Sequence, residues 1–405
     1  MNRGTQQRDT ERIRRITGAL ERANMDAVVC ALPANVLLVS GYWPVIGTSV
    51  AVITRAGFVY VLAPNDEAEL AHASYADVVE TFAFGSLTDL RTPVDVLGAP
   101  LTSILREIEP RRALVVGCET GPTVEPASYV GMQLFGGAID QLLVESLGDE
   151  VIVSADELLS ELRAVLSVSE QERVRVACAV AERAFVKGAE RLHVGMHERE
   201  VAALFRASLA LPADCADDAA RMDGFMFCMS GPNSTEAYAA YQRSRARQIA
   251  VGDLVLVHCN SYVDGYWTDV TRTFCAGAVD ERKRRMYDAI FAARDAALET
   301  IRPGVKAADV DRAARTVLSE RGFAKEFRHG LGHGVGFAAI NHNAQPRLHP
   351  ASNDVLQHGM ILNIEPAIYI DGFGGLRHCD MVLLTDRGPE LLTPFQATLE
   401  SLTIL

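Results

Sequence analysis

The chain has 405 residues, of which 49% are hydrophobic and 22% are charged, and its formal net charge is −13. This length corresponds to about two or three domains of roughly 100–200 residues each. The composition is typical of a folded globular protein and excludes a disordered or fibrous chain. With a pI near 5.3, the protein has the wrong sign of charge to bind a nucleic acid backbone or an anionic membrane surface. Neither is expected as a partner.

The first residues carry charges throughout and contain no apolar core of signal-peptide type. No segment elsewhere approaches the run of about 18 apolar residues that a membrane-spanning helix needs. We therefore expect a cytoplasmic protein.

Helical and strand patterns alternate over residues 1–155 and predict a small N-terminal α/β domain. An amphipathic helix around Ile16 precedes β-rich segments at residues 27–32, 49–53, 58–62 and 113–116. The composition changes near residues 145–154. Beyond it, strand pairs with glycine-rich turns and helical blocks at 280–300 and 307–321 predict a second domain over residues 160–405.

A helix near residue 170 is predicted to begin at a capping box, with Ser169 as N-cap and Glu172 three residues later. Val174, Cys178 and Phe185 recur at helical spacing after it. They are expected on the buried face of this helix.

Two strands joined by an Asp-Gly turn at residues 264–265 form a predicted hairpin. In a register centred on that turn, His258 lies opposite Thr271. His258 and Asp269 then share one face of the sheet as diagonal neighbours, roughly 7–8 Å apart at Cβ. One metal ion could bridge them; the alternative is a hydrogen-bonded core histidine and an acid at the end of a turn.

The segment HGLGHGVG at residues 329–336 contains four glycines, which make a helix improbable. His329 and His333 are therefore not the helical histidine pair of a zinc protease. A histidine walled by glycines suits a site where a ligand approaches the main chain. The alternative is a flexible loop with exposed histidines.

Acidic and sulfur side chains follow in two strand-like segments near the end of the chain. Glu365 lies in an apolar segment just before a proline, where a buried carboxyl group needs a partner. In the next segment, Cys379 alternates with His378 and Asp380. Only one of these two sets can face the same site.

In order and wording, these motifs resemble the prolidase, aminopeptidase P and creatinase family, which has the pita-bread fold. The matching phrases are Gly265-Tyr266, Asp269-Val270-Thr271-Arg272-Thr273-Phe274, His329-Gly330, Gly332-His333-Gly334-Val335-Gly336, Ile364-Glu365-Pro366, Gly375-Leu376-Arg377 and Asp380. The resemblance implies an α/β protein in which the small N-terminal domain precedes a C-terminal pita-bread domain, an α+β unit with a pseudo-twofold β-sheet covered by helices. It also implies a homodimer.

The chain departs from the family pattern at several site positions. Peptidases of this family hold two divalent metals with two Asp, one His and two Glu. Here the first Asp position is His258 and the final Glu position is Cys379. Tyr238 stands where the family has its first catalytic histidine. The outer histidine, usually seven residues after the metal histidine, is represented by His342, nine residues after His333.

These departures favour one metal ion over two, because the carboxylates retained from the family set are Asp269 and Glu365. Imidazole and thiolate are softer ligands than carboxylate, which favours Zn²⁺ or Fe²⁺. We therefore expect a mononuclear site that holds one divalent metal, with five candidate ligands: His258, Asp269, His333, Glu365 and Cys379.

The resulting interpretation is a hydrolase of a small C–N bonded substrate, such as an amide, an amidine or an Xaa-Pro-like dipeptide. Glu365 is the candidate base or ligand, and Tyr238, His342 and Arg377 are candidates for substrate contact or oxyanion stabilisation. One alternative is metal-free, creatinase-like catalysis with no cofactor, in which a histidine shuttles protons. Another is a non-catalytic binding protein on the same fold.

Overall fold

The computed structural model describes residues 7–45, 48–83, 85–108, 114–120, 142–146, 151–211, 216–240, 244–338 and 343–404. The chain divides into two compact units, Met1–Arg163 and Ala164–Leu405. Among the described residues, no helix has both the length and the apolar character required to cross a membrane.

A six-stranded mixed sheet with helices forms the N-terminal unit. Its helices are α1 (Thr10–Arg22), α2 (Pro33–Ser40), α3 (Ala68–His72), α4 (Pro93–Ile108) and α5 (Asp156–Ala164). Its strands are β1 (Ala27–Cys30), β2 (Val50–Thr54), β3 (Val59–Pro64), β4 (Val78–Phe82), β5 (Gly85–Ser86), β6 (Asp89–Leu90), β7 (Val115–Cys118) and β8 (Val151–Ser154). The sheet order is β4-β3-β2-β1-β7-β8, and β5 pairs with β6.

Continuous apolar runs explain the central strands of this sheet. Every residue of β1 and β2 is buried, as expected for strands covered on both faces. The pairs β1/β7 and β7/β8 are parallel, while β1/β2 and β2/β3 are antiparallel. Of the predicted segment 113–116, residue 113 lies outside the described residues, residue 114 precedes β7, and residues 115–116 belong to β7.

The C-terminal unit combines several sheets with long helices. Its helices are α6 (Val168–Ala189), α7 (Glu198–Ala207), α8 (Ala237–Ala240), α9 (Glu281–Thr300) and α10 (Ala307–Glu320). Its strands are β9 (Met222–Ser230), β10 (Leu254–Val263), β11 (Tyr266–Trp267), β12 (Val270–Ala276), β13 (Ile361–Ile364), β14 (Ala367–Ile370), β15 (Gly374–Arg377), β16 (Asp380–Thr385), β17 (Gly388–Leu391) and β18 (Thr403–Ile404). One sheet contains β9, β10, β11, β12 and β18, another has the order β13-β16-β17, and β14 pairs with β15.

The capping box of α6 lies two residues earlier than predicted. Ser167 is the N-cap, and its backbone N–H donates a hydrogen bond to the Glu170 carboxylate at 2.7 Å. The preceding Leu166 is buried, and its N–H donates to the Gly359 carbonyl at 2.9 Å. Because this contact fixes the chain, Ser167 is the first residue able to cap. The predicted helical face is buried as expected.

Candidate metal centre

The hairpin of β10 and β12 places the first two candidate residues. His258 pairs with Thr271, as the turn-centred register predicts. The Nδ1 atom of His258 lies 3.8 Å from Oδ1 of Asp269, and both side chains are buried. The predicted sharing of one sheet face is therefore confirmed.

The glycine-rich segment brings His333 to the same place without forming a helix. Its Nδ1 lies 3.0 Å from the Gly334 carbonyl, so Nδ1 donates, and Nε2 lies 3.7 Å from Oδ2 of Asp269. The glycine pattern has a steric cause. A Cβ on Gly332 would lie 2.1 Å from the Asn363 carbonyl oxygen, so only glycine permits this approach of the two main chains.

Three buried side chains form a cluster able to hold a metal ion. The ligand atoms of Asp269, Glu365 and Cys379 all lie within 4.8 Å of one another. Cys379 Sγ is 3.5 Å from Oδ1 of Asp269. Together with the adjacent His333 imidazole, they provide oxygen, sulfur and nitrogen donors, a combination suited to Zn²⁺ or Fe²⁺. The donor set thus fits a divalent metal ion.

His258 lies beside this cluster, with both ring nitrogens hydrogen bonded. Asn260 Nδ2 donates to the Thr268 carbonyl at 3.0 Å, which turns Asn260 Oδ1 towards His258 Nε2 at 2.9 Å. Nε2 therefore carries the proton, and the Nδ1 lone pair faces Thr271 Oγ1 at 2.9 Å and Arg377 Nη2 at 3.1 Å. A guanidinium group faces the lone pair that a metal ion would need.

Arg377 is held at the centre of the site. Its Nε donates to Thr271 Oγ1 at 3.1 Å, and its Nη1 lies 3.7 Å from Oε2 of Glu365. Burial alone would lower the pKa of the guanidinium, but Tyr369, Glu365 and Asp269 raise it above its usual value. Arg377 is therefore a permanent positive charge in contact with the acidic cluster.

Burial sets the protonation of the acidic and sulfur groups. It raises the pKa of Glu365 to about 8, with Arg377 opposing the shift and Asp269 adding to it. Burial, followed by the neighbouring Asp269 and Glu365, also raises the pKa of the Cys379 thiol well above its usual value. Burial thus favours the protonated form of both groups.

Cys379 alternates with its neighbours as predicted, because His378 and Asp380 face away from the cluster. The Asp380 carboxylate pairs with Arg272 at 2.7 Å and with Arg294 at 2.6 Å. Arg272 Nη1 also donates to the Cys379 carbonyl at 2.7 Å. This buried ionic group, formed by Arg272, Arg294 and Asp380, anchors the strand that presents Cys379.

The two remaining candidates are Tyr238 and His342. Tyr238 has 38% of its surface exposed and packs against the Tyr369 and Arg328 side chains, outside the metal-capable cluster. His342 lies outside the described residues.

Sequence reasoning missed three buried polar residues: Asn260, Asn363 and Tyr369. Tyr369 Oη lies 3.1 Å from Nε2 of His329, and burial raises its pKa to about 12. Asn363 has a signal in the sequence, since it precedes Glu365 by two residues in a strand and so shares its face. Asn260 follows His258 by two residues in β10 and so shares its face of the sheet.

Comparisons with known proteins place the fold and family. Residues 172–386 match the model of metallopeptidase family M24. The chain is 27% identical over 384 residues to an Xaa-Pro dipeptidase of Pyrococcus horikoshii, which covers 95% of this chain and 97% of that protein. It is 35% identical over 247 residues to a probable dipeptidase PepE of Mycobacterium tuberculosis, covering 61% of this chain and 62% of that protein.

Solved structures agree with these relatives. The prolidase of Pyrococcus horikoshii superposes with a TM-score of 0.73 at 26% identity, covering 95% of this chain and 98% of that one. The prolidase of Pyrococcus furiosus gives the same TM-score and identity over 94% and 99% of the two chains. These matches confirm the predicted N-terminal α/β domain followed by a pita-bread domain, and the predicted hydrolase of C–N bonds. The chain belongs to metallopeptidase family M24, within its prolidase and aminopeptidase P branch.

Proposed function

We propose that the protein hydrolyses a small amide of the Xaa-Pro dipeptide class and holds one divalent ion, Zn²⁺ or Fe²⁺, for this purpose. The observation that carries the proposal is the buried cluster of Asp269, Glu365 and Cys379, with His333 beside it. The Xaa-Pro dipeptidases and prolidases among its relatives indicate the substrate class.

Charge supports a single ion. Asp269 and Glu365 supply two negative charges when ionised, and a Cys379 thiolate would supply a third. Arg377 already adds one positive charge 3.7 Å from Glu365. A second divalent ion would leave the buried site with an uncompensated positive charge. Arg377 also faces Nδ1 of His258, the ring nitrogen that would have to bind an ion. His258 is therefore proposed as a partner of Arg377 rather than as a ligand.

The side chains have distinct proposed roles. A divalent ion held by Asp269, His333, Glu365 and Cys379 would act as a Lewis acid on the amide carbonyl. Glu365, once ionised, is proposed to accept a proton from the attacking water. The fixed charge of Arg377 would stabilise negative charge that develops on the substrate oxygen.

A metal-free, creatinase-like amidinohydrolase is the second candidate, favoured by the contact between Arg377 and His258. In this alternative, the guanidinium replaces a metal ion as the positive charge, and Glu365 is the proton donor because burial raises its pKa to about 8. Cys379 would then have no ligand role.

Elemental analysis of protein purified without chelator or His-tag tests the proposal, together with hydrolysis of Xaa-Pro dipeptides. We expect about one Zn or Fe per chain, a clear reduction in Cys379→Ser, and no change in His258→Ala. Two ions per chain would contradict the charge argument. An active enzyme free of metal would favour the second candidate.

We also propose that the protein is a homodimer, as the resemblance to the family implies, and that it is located in the cytoplasm. Sedimentation velocity of the purified chain tests the first point, and fractionation of source cells tests the second. A monomer at micromolar concentration, or recovery outside the cytoplasmic fraction, would contradict the corresponding statement.

A further inference from the structure

Asn363 is fully buried in β13, next to two of the proposed ligands. Its backbone N–H donates to the His333 carbonyl at 2.9 Å, and its Oδ1 accepts from the His333 N–H at 2.7 Å. Its side-chain nitrogen lies 3.6 Å from Sγ of Cys379 and 3.5 Å from Nε2 of His333. The residue thus links two segments, one carrying His333 and the other carrying Cys379.

The orientation of the Asn363 amide is determined by its partners. A backbone N–H can only donate, so the side-chain atom facing His333 N must be the oxygen. The amide nitrogen, with two hydrogens, must then point towards the sulfur and the imidazole. The structure therefore places a hydrogen-bond donor at the sulfur of Cys379.

This donor matters because the sulfur has acidic surroundings. Cys379 Sγ–H donates to the Asp269 carbonyl at 3.1 Å, and the Asp269 carboxylate lies 3.5 Å away. A thiolate at this position would face two oxygen atoms that cannot donate to it. Asn363 Nδ2 is then the neutral group positioned to donate to the charged sulfur.

We infer that Asn363 is a positioning residue that holds His333 and Cys379 in ligating geometry and donates a hydrogen bond to the Cys379 thiolate when an ion is bound. The inference rests on the proposed function, because it requires Cys379 to be a metal ligand. Such partners of metal ligands typically change metal affinity 10–100-fold when removed. The Asn363 donor would also withdraw electron density from sulfur.

Cobalt provides a readout other than activity. The full chain is loaded with Co²⁺, and the sulfur-to-cobalt charge-transfer absorption is recorded for the wild type, Asn363→Leu, Asn363→Ser and Cys379→Ser. Loss of the hydrogen bond raises the energy of the sulfur lone pairs, so the band of both Asn363 variants should move to longer wavelength. Zn²⁺ affinity, measured by chelator competition, should fall about 10–100-fold.

Asn260→Ser is the matched control, because Asn260 is equally buried but contacts His258 instead of the proposed ligands. Its band should not move. Asn363→Ser is the safer variant if Asn363→Leu fails to fold, since its shorter side chain fits the space but cannot reach the sulfur.

The outcomes separate the two proposals. A band that disappears in Cys379→Ser but is unchanged in both folded Asn363 variants overturns the role of Asn363 alone. A wild-type chain that shows no such band at all overturns Cys379 as a ligand, and the role of Asn363 with it. A shift in the Asn363 variants alone supports both.

Discussion

Replacing Asp380 by asparagine should strongly destabilise the C-terminal unit. The Asp380 carboxylate is fully buried between Arg272 and Arg294, at 2.7 and 2.6 Å, and Arg272 is itself inaccessible to solvent. The asparagine amide keeps the shape but removes the negative charge, which leaves buried guanidinium charge uncompensated. Breaking a buried ion pair in this way costs about 3–5 kcal/mol. For a unit of this size, the melting temperature should fall by roughly 6–20 °C.

The effect should be independent of pH from about 5 to 8. Burial alone would raise the pKa of Asp380, but Arg272, His378 and Arg294 hold it well below its usual range. A depressed carboxyl pKa gives stability that is fully present above the pKa of the unfolded chain, about 3.9, and is lost as the pH falls further. Asp380 therefore remains ionised throughout the assay.

Thermal and urea denaturation of Asp380→Asn and Asp218→Asn at pH 6 and pH 8 test this reasoning. Asp218 is the matched control, because it pairs with Arg173 at 3.3 Å while 75% of its side chain is exposed. An exposed pair contributes less than about 1 kcal/mol. Equal losses for the two variants, or an Asp380→Asn effect that vanishes at pH 8, would refute the role assigned to the buried ionic group.

Three further predictions concern the metal centre. Zn²⁺ affinity should rise up to about 100-fold between pH 6 and pH 7, because Glu365 and Cys379 must both lose protons to bind the ion. Chelator competition measures this affinity, and a flat pH profile would contradict the prediction. The double variant His258→Asp/Cys379→Glu should bind a second ion in a Mn²⁺ titration, because it restores two carboxylates. An unchanged number of ions per chain would contradict the charge argument. Gly332→Ala should lower the melting temperature and abolish metal uptake, because the alanine Cβ would lie 2.1 Å from the Asn363 carbonyl oxygen. A melting curve identical to that of the wild type would refute this prediction.

Local rules were sufficient where a short segment determines its own geometry. The Asp-Gly turn centres the hairpin and so places His258 opposite Thr271. Period-two alternation turns Cys379 away from His378 and Asp380. Glycine spacing identifies residues 329–336 as a non-helical approach to the site. Each of these predictions depends on backbone geometry within one short stretch of the chain.

Side-chain partners from distant segments could not be predicted in the same way. Arg377 reaches His258 across 119 positions of sequence, and that contact depends on how two halves of the C-terminal unit meet. The capping box shows a milder form of the problem, since the contact of Leu166 with Gly359 selects Ser167 over Ser169 as the N-cap. In both places a tertiary contact decides between local alternatives.

The close approach at Gly332 has an evolutionary consequence. One wall of the site is main chain, where a side chain would collide with Asn363. Peptide groups are common to all residues, so mutation cannot readily change the chemistry of that wall. The groups that a substitution can change are the side chains of the site. His258 and Cys379, the two departures from the family ligand set, are changes of side chain and leave the main-chain approach at Gly332 as it is.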